Sequence, residues 1–283
     1  MNLKKRYYNK LVQLYIRQNW LNSKEAEIDQ LLKLCNNEGK ENLVFKLLSD
    51  FSYLNNDNLS MLLNDIATYI INETGFVQKE TQILAITQDD NADSGQKMLD
   101  QIKVPLFKLG WRSPELVNNF SKVAKRFNKG LNKIVIVDEF VGSGKTLRGK
   151  LNFLQGVLNG DYQVKFCFLA GIKTTIDQLR GEGVDIFCPL QLTKGISESF
   201  AGVELKKAED NMLELELELA EKINDKQLFD YSFGYGGAEA LYTMEGCNGN
   251  TPNSVFPIFW WLLDKKNNLR NTLLTRYEKG FEI

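Results

Sequence analysis

The sequence predicts an α/β fold, a parallel sheet covered by helices on both faces, and two observations predict it. From about residue 80 to 190, short runs that are apolar at every position alternate with segments of helical character. Such strands have no solvent-facing side, so helices must cover both faces, and the alternation supplies the crossovers that parallel strands need. Before that stretch the pattern is helical, and after residue 195 it blurs. The division expected is a helical N-terminal region (1–78), an α/β core (79–195) and a C-terminal extension (196–283).

In LVQLYIRQNW, apolar residues recur at three- and four-residue spacing, the mark of one buried helix face. Asn22 followed by Glu25 has the spacing of a capping box, and Leu31, Leu32, Leu34, Phe45, Leu47 and Leu48 supply further apolar faces. NLSMLLNDIATYIIN (58–72) reads as another helix. QILAIT (82–87) is a strand, SGQKMLDQI and PELVNNFSKVAKRF are helices, and KIVIVD (133–138) is a strand. TLRGKLNFLQGVL is a helix, VKFCFLAG (164–171) a strand, TTIDQLRGEG a helix and VDIFCPL (184–190) a strand. DNMLELELELAEKI carries leucine at alternate positions, as a strand does, but its Leu, Glu, Ala and Lys content favours a helix.

Composition narrows the function. Of 283 residues, 35 are basic and 36 acidic, so no positive excess advertises a nucleic-acid partner. Histidine is absent, which removes histidine-based triads, the HExxH zinc site and the commonest general base near neutral pH. Chemistry must come from carboxylates, Lys, Tyr, backbone amides or a metal held by oxygen. Cys35, Cys167, Cys188 and Cys247 show no CxxC spacing and are expected as free thiols in a reducing compartment. No apolar run reaches the ~18–20 residues of a membrane span, and MNLKKRYYNK lacks the apolar centre of a signal peptide. A cytoplasmic protein with no membrane partner is the expectation.

One stretch carries the chemistry: IVIVDEFVGSGKT, residues 134–146. Its GKT ending suggests a nucleotide-triphosphate loop, but that pattern needs a glycine where Glu139 stands, and a carboxylate there would lie close to the phosphates. No later apolar run ends in the acid expected to help hold magnesium. The alternative takes the acids as part of the site. Backbone N–H groups of Gly142, Ser143, Gly144, Lys145 and Thr146, the two hydroxyls and a helix dipole suit a phosphate monoester. Asp138 and Glu139 suit vicinal hydroxyls and a magnesium ion. A ligand with both features is a ribose 5-phosphate.

Four apolar residues, two acids and a short loop of small and hydroxyl residues resemble the signature of the type I phosphoribosyltransferase family, and the likeness extends over about residues 80–190. The resemblance implies a phosphoribosyltransferase-like core that takes 5-phosphoribosyl diphosphate, or a related nucleotide ligand, with Mg2+ and transfers or cleaves at the anomeric carbon. It implies that Asp138 and Glu139 hold the ribose hydroxyls and the metal, and that Gly142–Thr146 hold the 5-phosphate. The family's pyrophosphate loop corresponds here to 88–95, with Asp89, Asp90, Ser94 and Gly95; its three carboxylates are unusual for an anion site but suited to magnesium. Purine-salvage members carry an aspartate where Gly142 stands, so that substrate class is disfavoured. A mobile cover corresponds to 104–130, where Lys108, Arg112, Lys122, Lys125 and Arg126 are candidates to reach a diphosphate on closure, the last three reading equally as an ordinary solvated helix face.

The helical start and long tail do not resemble compact salvage enzymes; they resemble phosphoribosyltransferase-like proteins of bacterial conflict and phage-defence loci. A homo-oligomer or a subunit of a larger complex is expected. A sensor that kept the pocket and lost catalysis is the competing class. Gly234–Glu239 reads equally as a turn or as a wall for a second substrate, and Thr251–Asn253 with Phe256–Trp261 reads as a functional loop with aromatic walls or, more readily, as a tail packed onto a core.

Overall fold

The computed structural model describes residues 3–86, 94–245 and 250–277. Two compact units divide the chain, one of residues 1–55 with 193–283, the other of residues 56–192. The helical region expected over 1–78 is therefore shared between them, with residues 56–78 joining the sheet. Helical periodicity reveals a buried face but not what covers it.

The first unit begins with α1 (Leu3–Arg17), α2 (Glu25–Leu32), α3 (Glu38–Ser49) and β1 (Ser52–Leu54). The Asn22–Glu25 capping box does not form: Asn19–Ser23 is a 3-10 turn, and Lys24 precedes α2 without a capping side chain. Asn37 caps α3 instead, its side-chain oxygen accepting from the Lys40 amide at 3.0 Å.

The second unit contains α4 (Asn56–Thr68), β2 (Thr81–Ala85), α5 (Ser94–Gln101), α6 (Lys103–Lys108), β3 (Glu115–Val117), α7 (Val123–Phe127), β4 (Lys133–Val141), α8 (Lys145–Val157), β5 (Gln163–Ile172), α9 (Lys173–Gly181), β6 (Ile186–Phe187) and β7 (Leu190–Leu192). The strands lie in the order β3-β2-β4-β5-β6, with β7 also paired to β5, and every neighbouring pair is parallel. Ile134, Val135, Ile136 and Val137 of the central strand are all fully buried, as a two-sided cover requires. Each contributes roughly 1.5–3 kcal/mol by leaving water.

Two elements differ from the sequence reading. PELVNNFSKVAKRF begins as the edge strand β3, and its helix starts only after Asn119, whose side chain accepts from the Ser121 amide at 2.9 Å. VDIFCPL breaks into β6 and β7 around Cys188-Pro189, because proline has no N–H to give the ladder.

The first unit resumes with α10 (Gly202–Glu216), β8 (Lys222–Ile223), β9 (Lys226–Gln227) and β10 (Tyr242–Met244), which pairs with β1 in parallel. The leucine-glutamate run is a helix as far as Glu216, and Leu219 then bridges to Asp264. Phe256, Ile258, Phe259, Trp260 and Trp261 are buried, with Arg270 donating to the Ile258 and Trp261 carbonyls at 2.8 and 2.7 Å. Gly234–Glu239 forms a turn: a Cβ on Gly234 would stand 2.0 Å from the Ser254 carbonyl oxygen, and the Glu239 carboxylate accepts from the Ile196 and Ser197 amides at 2.8 and 2.7 Å.

Candidate functional site

The strand order itself selects a place for a ligand. After β2 the chain moves to β3 on one side; after β4 it moves to β5 on the other. The connections leave neighbouring strands in opposite directions and open a crevice at their carboxyl ends, where open α/β sheets bind ligands. Ala85 pairs with Val137, so β2 ends its ladder one residue before Asp138. The acids and the glycine loop thus stand at this switch point.

Asp138 is half-buried, and one of its carboxylate oxygens accepts from the Glu139 backbone amide at 2.8 Å. Glu139 is only 6% exposed. Both belong to β4, so strand alternation sends their side chains to opposite faces of the sheet. Adjacency in sequence does not make them one pincer.

Beyond Val141 the chain turns through Gly142, Ser143 and Gly144 into α8. Gly144 precedes the helix at φ 74°, in the left-handed region, and as a glycine brings no side chain of its own to cap the helix start. Gly142 is buried, Ser143 half-buried, and Lys145 and Thr146 exposed. Positive dipole end, amides and the exposed Lys145 make the turn electropositive beside a carboxylate.

Arg148, one turn into α8, escaped the sequence reading and shapes this loop. Its guanidinium donates to the Ser143 carbonyl at 3.3 Å and grips Glu182 with two bonds of 2.9 and 2.7 Å. The bond to Arg148 lowers the Glu182 pKa, and Glu182 raises that of Arg148. An arginine four residues after a loop glycine was the available signal. Gly171 was missed too; it lets β5 approach Val141 closely, as a glycine at a strand end indicates. Lys150 lies on the buried face of α8 with Leu147 and Leu154, its ammonium 4.8 Å from the centre of the Phe120 ring.

Of the second loop, Asp89 and Asp90 lie outside the described residues. Ser94 opens α5, and Gly95 is buried in its first turn. Of the basic residues of 104–130, Lys122, Lys125 and Arg126 do not gather over this crevice. Arg112 packs 4.5 Å over the Phe107 ring, and Lys122, Lys125 and Arg126 share a recess with Glu115 and Leu131. Glu115 is level with Gln82 and Leu131 precedes β4, which places that recess at the amino ends of the strands.

A parallel sheet whose switch point carries an acid and a glycine turn opening a helix has the architecture of a phosphoribosyltransferase-like α/β core. The PRTase-CE family model matches residues 18–276, and the chain belongs to that family, whose general activity is phosphoribosyl transfer. Among solved structures the chain is similar to the Helicobacter pylori xanthine-guanine-hypoxanthine phosphoribosyltransferase, at 15% identity over 56% of this chain and 96% of that one, with a TM-score of 0.34. A search of curated proteins found no match. Among the described residues no helix is long and apolar enough to cross a membrane.

Proposed function

We propose that the protein binds 5-phosphoribosyl diphosphate, or a related ribose 5-phosphate or nucleotide, with Mg2+ at the switch point, and transfers or cleaves at the anomeric carbon. The observation that carries this is the turn from β4 into α8, with a left-handed Gly144, which has no side chain, at the cap of a helix that starts beside Asp138 at the switch point. In this reading the amides of Gly142–Thr146 and the Ser143 and Thr146 hydroxyls hold the 5-phosphate. Asp138 and Glu139 are assigned to the ribose hydroxyls and the metal, with Asp138 as the direct contact and Glu139, buried on the opposite face of β4, as the lesser contributor. Asp138, a half-buried oxygen donor at the strand end, suits magnesium, which binds one or two carboxylates together with substrate phosphates and water. Ser94, Gly95 and the start of α5, with Asp89 and Asp90, are assigned to the diphosphate end.

The reaction breaks the anomeric C–O bond, and pyrophosphate leaves with the electron pair. A base or other nucleophile forms the new bond at that carbon. Positive charge grows on the ring, and a carboxylate at Asp138 stabilises it. Magnesium supplies neutralisation of the leaving phosphate oxygens.

Calorimetry with phosphoribosyl diphosphate and Mg2+, then a pyrophosphate-release assay with assorted bases, tests the proposal. Asp138→Asn with Glu139→Gln is expected to abolish ribose recognition while the fold is retained. Because Glu139 is buried on the other face, the single Asp138→Asn variant should account for most of the loss. Unchanged affinity in the double variant refutes the assignment. Binding without release favours a non-catalytic ribose-phosphate sensor. The family match takes in the helices and tail beyond the α/β core, which supports a specialised branch, and we propose antiviral defence as its setting, within a homo-oligomer or larger complex. Phage challenge of cells carrying wild type or the double variant tests that role.

A further inference from the structure

At the end of the sheet away from the proposed phosphoribosyl site, a recess of about 370 Å3 is lined by Glu115, Lys122, Lys125, Arg126, Lys129 and Leu131. We infer that this recess is a second anion site, one that binds a compact ligand carrying several phosphates. Its location separates it from the switch point: Glu115 is level with Ile134 across β2, and eight residues of extended strand from Ile134 to Gly142 span roughly 25 Å.

The ordinary alternative is a solvated helix face, and the charge pattern decides against it. Several other helices of this chain pair an exposed lysine with an acid one turn away, as in Lys103–Asp100, Lys173–Asp177 and Lys206–Asp210. Residues 122, 125, 126 and 129 instead put four positive charges at helical spacing on one face, where like charges repel. Val123, Phe120 and Phe127 of the same segment pack on the core. Among the described residues, Lys122, Lys125 and Lys129 have no carboxylate within ion-pair distance, and only Arg126 is engaged, through its Nε with Glu115.

Attraction to a helix C-terminus accounts for Lys125 and Arg126 at the end of α7. It does not account for Lys122, which precedes the helix, where positive charge is unfavourable. Glu115 holds the Arg126 guanidinium at the rim, and three flexible ammonium groups surround the opening. The volume suits a small molecule, and four cationic side chains line it, so several phosphates match its charge, while the stems of those side chains and Leu131 form the apolar part of the wall.

The test uses the full chain and inorganic triphosphate as the probe, followed by calorimetry at low and moderate salt. Three proteins are compared: wild type, Lys122→Ala/Lys125→Ala/Lys129→Ala, and Thr146→Asp, which places a negative charge at the α8 turn. Wild type and Thr146→Asp are expected to bind triphosphate with equal affinity at this recess, weakening with salt, while the triple variant loses at least tenfold. The three lysines are exposed, so the triple variant should keep the wild-type melting temperature. Wild-type affinity in the triple variant, loss of binding in Thr146→Asp, or no binding to wild type overturns the inference. So does a single-stranded oligonucleotide that binds through these lysines more tightly than triphosphate. Failure of phosphoribosyl diphosphate to bind at the α8 turn leaves this result unaffected.

Discussion

A Cβ added to Gly171 would stand 2.3 Å from Cγ1 of Val141 and 3.0 Å from its carbonyl oxygen. The two residues face each other across the β4–β5 ladder, at the last rung before the loop. Gly171→Ala must push the strands apart there, because the obstacle includes backbone. A loss of about 1–3 kcal/mol in urea unfolding is expected, with weaker phosphoribosyl diphosphate binding in calorimetry.

Gly144→Ala tests the turn itself. The left-handed backbone costs a residue with a Cβ about 1–2 kcal/mol, and the new methyl would meet Arg148 Nη1 at 3.0 Å. Arg148 can swing aside, so the expected result is a modest fall in stability and a larger fall in ligand affinity, read by the same two measurements.

Glu216 predicts a pH dependence. Burial pushes its pKa up to about 7, against the pull of bonds from the Ser232 hydroxyl and the Phe233 amide. A raised carboxyl pKa means that the folded state favours the protonated form. Its contribution is therefore complete below about pH 4.5 and is lost as pH rises to about 7. The wild type should lose on the order of 3 kcal/mol through this group over that window. Glu216→Gln should lose none of it, so the variant becomes the more stable protein at pH 8 in denaturant titrations.

Thiol chemistry offers a fourth check. Cys167 and Cys188 are buried, and burial raises both thiols, Cys188 to about 12. Peptide mapping after brief iodoacetamide treatment at pH 8 should find both unmodified in the native protein and both alkylated in guanidinium.

The core strands were legible because Ile134–Val137 and Phe166–Ala170 have only one environment open to them, burial on both faces. The glycine turn was legible because a strand ending in acids, then small residues, then a helix is a local pattern. What escaped depended on distant partners. PELV is short enough to serve a helix or an edge strand, and only pairing with β2 decides it. Arg148 and Glu182 are 34 residues apart and meet only because α8 and α9 are brought together. The facing of Asp138 and Glu139 was available from strand alternation, but the sequence reading ended β4 at Asp138, whereas the strand runs on to Val141.

The grip of Arg148 on Ser143 and Glu182 has a thermodynamic corollary. A turn braced by its own side chains surrenders its conformational freedom when the polypeptide folds, not when a guest arrives. Recognition at such a rim begins with the entropy already spent, which favours tight capture of even a small, highly hydrated group.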